Sequence, residues 1–261
     1  MQMTQVTAFG EQITTYQGGM QAPVMDIFDR MAHQGENCCV WTPDAGFYTE
    51  RELDFLDSVK TTRQWFTGPH AQFDRPCPEM SGIFFDGTYK GTISDIGIGL
   101  GEKISHALSG FHDLSRHCLG TTYTDDYAET TIEYFDADAA TNSHFDSCAV
   151  PQFFCVWTLG RDPSTVVHAN AQVASDRTPM RASVSSENIT RVFREQPIYT
   201  YVPGDKVMEI RHALGEITFP CGSAVFLTCN TWPHQPRFHK SPAGLLCPDG
   251  RLLAMTRLGI R

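Results

Sequence analysis

The feature that most constrains the fold is a series of short β-branched and aromatic segments that follows Gly120. Residues of these types favour β-strand, and turn-forming residues such as Pro203-Gly204 and Pro248-Asp249-Gly250 separate most of the segments. Because no helical pattern alternates with them, we expect an antiparallel sandwich or barrel and not a βαβ sheet. The predicted strands are 131–135, 152–159, 164–167, 198–202, 207–210, 223–228 and 252–256.

The first half of the chain carries helical patterns instead. Thr49 and Glu52 form a capping box ahead of apolar residues at roughly helical spacing. Between 100 and 119, apolar residues recur near a 3.6-residue period, which predicts a second helix. A short strand is predicted at 82–85, and residues 1–30 are expected to be irregular or to contain strands. We therefore expect one α+β domain over 1–261, in which a mainly helical or irregular lead-in (1–120) packs on a β-barrel core (121–261).

Composition limits the partners and the compartment. The 261 residues carry a formal net charge of -10 at pH 7, which argues against nucleic acid or an anionic membrane as a partner. No apolar run approaches the roughly 20 residues of a membrane span. The nine cysteines include no C-x-x-C pair, and the N-terminus lacks the pattern of a secretory signal. We expect a reducing, cytoplasmic setting; the oligomeric state is not predicted by the sequence.

The segment N-S-H-F-D-S-C places His144 and Asp146 two residues apart between two predicted strands. In an extended chain, residues two apart face the same side, so an imidazole and a carboxylate could bind one metal ion. The alternative is an ordinary polar turn, because Asn, Asp and Ser are common turn residues.

A third ligand is available nearly a hundred residues later. His239 lies in F-H-K-S-P after a predicted strand, and His234 is the alternative because it follows the same strand. Two histidines and a carboxylate form the 2-His-1-carboxylate triad of non-haem Fe(II) oxygenases. Arg251, twelve residues after His239, could clamp a carboxylate in bidentate fashion.

With H-F-D at 144–146, the histidine of F-H-K-S-P and G-R at 250–251, the chain resembles the Fe(II)/2-oxoglutarate-dependent oxygenase superfamily. The segments R-F-H-K-S-P and G-R-L-L also resemble a poorly characterised bacterial family with F-H-x-D and H-R-S-P motifs, which implies no substrate. The superfamily resemblance covers roughly residues 130–260. It implies a double-stranded β-helix, a jelly-roll or cupin-like barrel, as the core.

The resemblance also implies the cofactors and the roles of the site residues. His144, Asp146 and His239 would bind Fe(II), and Arg251 would hold the far carboxylate of the cosubstrate 2-oxoglutarate, with Arg257 as the alternative anchor. O2 would be the second cosubstrate. Thr165 resembles a residue that lines the cosubstrate pocket in some members. Because halogenating relatives have a small residue in place of Asp146, we expect hydroxylation, desaturation or ring formation of a small-molecule or amino-acid-derived substrate.

Two other functions stay open at the level of sequence. A cupin-like metal dioxygenase would use the metal without a cosubstrate, and Arg251 would then have no part in turnover. A non-catalytic metal-binding or zinc-handling protein would use histidines and thiols and would consume no oxygen, although zinc sites usually have cysteines at ligand spacing.

Overall fold

The structure of the chain is a computed structural model. The described residues are 1–20, 23–62, 76–77, 80–84, 95–119, 130–135, 137, 152–169, 172–173, 198–201, 208–211, 215–229 and 236–259.

Three α-helices, one short 3-10 helix (Gly244–Leu246) and fifteen strands occur within these ranges. The helices are α1 (Val24–His33), α2 (Glu50–Thr62) and α3 (Asp95–Leu119). The strands of the first half are β1 (Gln2–Ala8), β2 (Glu11–Gln17), β3 (Cys38–Thr42), β4 (Pro76–Cys77) and β5 (Met80–Phe84). Those of the second half are β6 (Thr130–Phe135), β7 (Gln152–Thr158), β8 (Val166–His168), β9 (Gln172–Val173), β10 (Ile198–Tyr201), β11 (Met208–Arg211), β12 (Glu216–Ile217), β13 (Ala224–Thr228), β14 (His239–Lys240) and β15 (Arg251–Gly259).

One large sheet dominates the described part of the chain. Its nine strands follow the order β1-β2-β3-β13-β7-β15-β6-β5-β4, so strands from both halves of the sequence pair directly. All the pairs are antiparallel except β2 with β3. Two three-stranded sheets accompany it among the described residues, with the orders β12-β8-β14 and β10-β11-β9.

The large sheet is packed on both of its faces. Successive side chains along a strand point to opposite faces, so alternate residues of the same strand enter two different cores. Residues of one face join the helices in a core that includes Trp41, Trp157 and Phe226. Residues of the opposite face join a second core with the β12-β8-β14 sheet, to which Val167 and Ile217 contribute. The β12-β8-β14 sheet, called the small sheet below, and the large sheet therefore enclose an inter-sheet core, and the helices cover the outer face of the large sheet.

The strands that enclose this core alternate between the two sheets along the chain. Strand β7 belongs to the large sheet, β8 and β12 to the small one, β13 to the large one, β14 to the small one and β15 to the large one. A chain that passes repeatedly between two facing sheets is typical of sandwiches and jelly rolls.

Most of the predicted elements are confirmed. Each predicted strand of the second half overlaps an observed one, and the strand expected at 82–85 overlaps β5. Helix α2 begins at the predicted capping box, where the backbone N–H of Thr49 donates to Glu52 Oε2 at 2.7 Å. Helix α3 contains the predicted stretch 100–119 and begins five residues earlier, at Asp95.

The lead-in contains more β-structure than the sequence predicts. Strands β1 and β2 form a hairpin, and β3 joins this hairpin to β13. Helix α1 was also not predicted, although Val24, Ile27 and Met31 are its buried residues and recur at helical spacing. The large sheet therefore extends across the expected boundary near residue 120.

The double-stranded β-helix stays a prediction, because the segment 138–151 between β6 and β7 lies outside the described residues. Within the described part, the large and small sheets share no strand and so form no closed barrel. No described helix combines the length and apolar character that crossing a bilayer demands.

Candidate functional site

The predicted site residues divide into those that the structure describes and those that it does not. His144, Asp146 and the alternative ligand His234 lie outside the described residues. The backbone of Arg257 lies in β15, opposite Phe154 of β7, and its side chain is not described. His239, Arg251 and Thr165 are described, and each is at most 5% exposed.

Arg251 begins strand β15 and faces the inter-sheet core. It lies opposite Phe135 of β6, and Leu253 follows two residues later on the same face of the strand. Both Phe135 and Leu253 belong to the inter-sheet core. The sequence therefore directs a guanidinium into the space between the two sheets.

The guanidinium is buried with neutral partners. Nη2 donates to Ser241 Oγ at 2.5 Å, and Nη1 donates to the backbone carbonyl of Pro163 at 3.5 Å. No carboxylate of the described residues lies within ion-pair distance of it. Burial lowers the pKa of Arg251 to about 10, while Cys247 and Asp162 act in the opposite direction. The group is thus cationic at neutral pH, at a position where an anion would be stabilised.

A tight turn fixes where this arginine enters the sheet. The backbone N–H of Gly250 donates to the carbonyl of Cys247 at 2.9 Å, which closes a β-turn through Pro248 and Asp249. Gly250 has a φ of +76°, a conformation that glycine adopts without strain. The hydroxyl of Tyr134 donates to the Asp249 carbonyl at 3.1 Å and ties the turn to β6.

His239 enters the same space from the small sheet. It lies opposite Val167 of β8, whose side chain is in the inter-sheet core. Its Nδ1 lies 3.1 Å from the backbone carbonyl of Arg237. Because a carbonyl oxygen only accepts, Nδ1 carries the proton in this contact and Nε2 carries the lone pair. Histidines that bind metals commonly use the second ring nitrogen in this way.

Ser241 connects His239 to Arg251. It follows His239 by two residues and is 6% exposed, and its hydroxyl accepts the hydrogen bond from Arg251. Strand β14 pairs Lys240 with Val166, so continuing this register by one residue brings Thr165 opposite Ser241. Two hydroxyl groups and a guanidinium therefore converge at one end of the inter-sheet space.

The loop that carries Thr165 is anchored to helix α2. Lys60 Nζ lies 2.9 Å and 3.0 Å from the two carboxylate oxygens of Asp162. Burial raises the pKa of Asp162, and the ammonium of Lys60 opposes this shift. Arg161 adds an ion pair to Asp57 of the helix at 3.2 Å. These contacts set the position of the Pro163 carbonyl beside Arg251.

The described residues test the metal site only in part. They contain no group of three or more His, Cys, Asp or Glu side chains that could hold a metal ion. Of the predicted triad, only His239 belongs to them. The thiols of Cys38 and Cys155 are buried in the core, and burial raises the pKa of Cys38 to about 12.

Two residues of this region were not predicted from the sequence. Ser241 and Arg237 lie two positions after and two positions before His239. In an extended chain this spacing puts all three on one face, so the alternation of R-F-H-K-S was the pattern that could have identified them.

Comparisons with known proteins do not assign the chain to a family. It matches no known protein family and no curated protein. Among solved structures, ycfD from E. coli is similar over 74% of this chain and 38% of that protein, with 9% identity and a TM-score of 0.31. The chain thus spans well under half the length of ycfD, and a likeness this low establishes neither fold nor function.

Proposed function

We propose that the chain is a non-haem Fe(II)/2-oxoglutarate-dependent oxygenase whose core is a double-stranded β-helix. The observation that carries this proposal is the buried cation Arg251, which faces the inter-sheet core with only a hydroxyl and a carbonyl as described partners. A buried cation of this kind favours an anionic ligand, and a guanidinium matches a carboxylate in bidentate geometry.

The residues around Arg251 fit the far carboxylate of 2-oxoglutarate. Arg251 supplies the charge, and the hydroxyls of Ser241 and Thr165 supply neutral hydrogen-bond donors from the small-sheet side. Burial of all three excludes water, which strengthens each polar contact to a bound carboxylate. This set supports Arg251 as the anchor, and Arg257 stays the alternative.

His239 fits a metal ligand by the chemistry of its ring. The contact from Nδ1 to the Arg237 carbonyl sets the tautomer that presents the Nε2 lone pair. The face it shares with Ser241 puts it on the same side of the chain as the carboxylate-binding group. His144 and Asp146 would complete the set as the other two ligands.

When bound, iron and 2-oxoglutarate would supply the oxidising chemistry, with O2 as the second cosubstrate and succinate as a product. The chain itself orients the cosubstrate through Arg251, orients the metal through His239 and keeps water out of the inter-sheet space. The retained Asp146 favours hydroxylation, desaturation or ring formation over halogenation. The substrate is proposed to be a small molecule or an amino-acid derivative, in a cytoplasmic setting.

Succinate formation and oxygen uptake test this proposal against its two alternatives. The purified protein is given Fe(II) or Zn(II), with and without 2-oxoglutarate, and both quantities are followed. We expect succinate and oxygen uptake with Fe(II) and 2-oxoglutarate together. Oxygen uptake that does not depend on 2-oxoglutarate would favour the cupin-like dioxygenase. Tight Zn(II) binding without any oxygen uptake would favour a zinc-handling protein.

The variant Arg251→Gln sharpens this test, with Arg51→Gln on the exposed face of α2 as its matched control. We expect the first variant to lose 2-oxoglutarate-dependent succinate formation and the second to retain it.

A further inference from the structure

The two edges of the large sheet differ within the described part of the chain. One edge is β4, which has two residues and begins with Pro76. The other is β1, which has seven residues, none of them charged and none of them proline. Proteins commonly protect the edge strands of their sheets by keeping them short or by placing proline or charged residues in them. Strand β1 has none of these three features, so it is suited to pairing with a further strand.

The main-chain groups of β2 show which residues of β1 would make that pairing. The N–H of Gly18, directly after β2, donates to the carbonyl of Thr42 in β3 at 3.2 Å, so it points away from β1. Because the direction of these groups alternates along a strand, Gln17 and every second residue before it bond to β1. Their partners in β1 are Gln2, Thr4, Val6 and Ala8.

The hairpin turn leads to the same assignment. Phe9 and Gly10 both have positive φ and form a two-residue turn, which is closed by the hydrogen-bonded pair of Ala8 and Glu11. The residues of β1 that alternate with those bonded to β2 therefore direct their N–H and C=O groups to the open side of the strand. These residues are Met3, Gln5 and Thr7.

The side chains of β1 are also accessible on both faces of the strand. Six of its seven residues are exposed. Met3 is 51% exposed and Val6 is 41% exposed, and the odd spacing between them puts them on opposite faces. A strand added at this edge would therefore cover apolar surface on both faces in addition to filling the main-chain groups.

Strand β1 is complementary to a second copy of itself in antiparallel pairing. The alignment that pairs all of residues 2–8 with themselves is centred on Gln5, which then lies opposite the same residue of the second copy. Met3 lies opposite Thr7, and each outward-facing residue of both copies donates one main-chain hydrogen bond and accepts one. Such a contact uses the same surface on both copies, as a two-fold dimer requires.

Charge also favours a second copy at this edge. The chain carries a formal net charge of -10, so most surfaces of two copies would repel each other. Strand β1 has no charged residue, and the charged residue of β2 is Glu11, whose carboxylate pairs with Arg237. Two acidic chains can therefore meet along β1 without bringing carboxylates against each other.

We propose that β1 is the interface of a homodimer, in which the large sheets of two copies join into one continuous sheet. The interface is a single pair of strands and is therefore small, so the dimer forms reversibly and depends on protein concentration. Strands β2, β3, β13 and β7 lie between β1 and the β15 strand that carries Arg251. The dimer thus does not involve the proposed cosubstrate site, and the two proposals can fail separately.

Sedimentation velocity at increasing protein concentration tests the dimer, and hydrogen exchange measured residue by residue tests the contact. We expect the wild type to shift from monomer to dimer, and the amides of Met3, Gln5 and Thr7 to become protected as it does. In the monomer, protection should be confined to the alternate residues of β1 that bond to β2. A wild type that stays monomeric at every concentration would overturn the proposal, and so would a dimer in which these three amides still exchange rapidly.

Two charge variants test the register of the contact. Gln5→Lys and Gln5→Glu each put like charges opposite one another across the two-fold axis, so each should raise the dimer dissociation constant about 10-fold or more. A mixture of the two variants should dimerise at least as well as the wild type, because opposite charges then meet. Met25→Lys, at a position of α1 that is 57% exposed, is the control and should dimerise as the wild type does. An unchanged dimer in either Gln5 variant, or no recovery in the mixture, would contradict the proposed pairing.

Discussion

Arg251 donates a hydrogen bond to the hydroxyl of Ser241 at 2.5 Å, and this contact joins the first residue of β15 to the segment that follows β14. It links the large sheet to the small one at the point where His239 also faces the inter-sheet core. The cosubstrate site and the metal site proposed above therefore share one short stretch of chain, residues 239–241.

Removing the Ser241 hydroxyl should weaken 2-oxoglutarate binding without removing it. In Ser241→Ala, Arg251 keeps its charge and loses a fixed partner, so we expect the dissociation constant to rise about 3-fold to 10-fold. Calorimetric titration of the iron-loaded protein under anaerobic conditions measures this. Thr4→Ala, which removes an exposed hydroxyl on β1, is the control and should leave the affinity unchanged. An unchanged affinity in Ser241→Ala would show that the contact is structural only.

The identity of the third metal ligand can be decided between two histidines. We expect His239→Ala to lose at least about 10-fold in Fe(II) affinity, because it removes the ring that the Arg237 carbonyl orients. His234→Ala should bind iron as the wild type does, and so should His106→Ala on the exposed face of α3. Equilibrium dialysis followed by metal analysis gives the affinities. Iron loss in His234→Ala with retention in His239→Ala would reverse the assignment.

The turn before Arg251 should not accept a side chain. In Gly250→Ala the new Cβ would lie 2.5 Å from the carbonyl oxygen of Phe135, at a φ of +76°. We expect a loss of at least about 1–3 kcal/mol in the free energy of unfolding, measured by denaturant titration. Gly99→Ala in α3, where nothing lies within 4 Å, should instead gain about 0.5–1 kcal/mol. Equal effects of the two substitutions would mean that the turn is not constrained.

The ion pair between Glu52 of α2 and Lys103 of α3, whose Oε2 and Nζ atoms lie 2.8 Å apart, should make the fold sensitive to acid. Burial alone would raise the pKa of Glu52, but hydrogen bonds from Lys103 and Thr49 outweigh it and lower that pKa. The ionised carboxylate therefore stabilises the fold above the unfolded pKa of about 4.3, and this stabilisation is lost as pH falls through the folded pKa. Denaturant titrations at pH 7 and pH 3 should show a smaller acid loss in Glu52→Gln than in the wild type. Glu102→Gln, an exposed carboxylate of α3, should match the wild type, and a Glu52→Gln loss equal to the wild-type loss would refute this contribution.

The strands of the second half could be predicted because their apolar residues are consecutive. Strands β7 and β13 are buried on both faces, so they read as short hydrophobic runs between turn residues. Strand β1 could not be predicted in this way, since six of its seven residues are exposed and mostly polar. It forms by pairing with β2 across the hairpin turn at Phe9-Gly10, and not by burial of its own side chains.

The site could be predicted from the sequence only where a residue type is chemically distinctive. The ligand chemistry of His239 and Arg251 marks both as candidates, and the structure puts both in the inter-sheet core. Ser241 and Arg237 are common residue types whose roles depend on which face of the chain they occupy. The alternation in R-F-H-K-S gives that face only once the segment is known to be extended, and a strand of two residues such as β14 carries little sequence signal of its own.

The measurement that tests the oxygenase proposal most directly is the visible absorption of the protein reconstituted anaerobically with Fe(II) and 2-oxoglutarate. Chelation of iron by the cosubstrate produces a weak charge-transfer band that neither component gives alone. We predict this band in the wild type, and we predict that Arg251→Gln requires a higher 2-oxoglutarate concentration to produce it. Absence of the band in wild-type protein that demonstrably binds Fe(II) would contradict the proposed function.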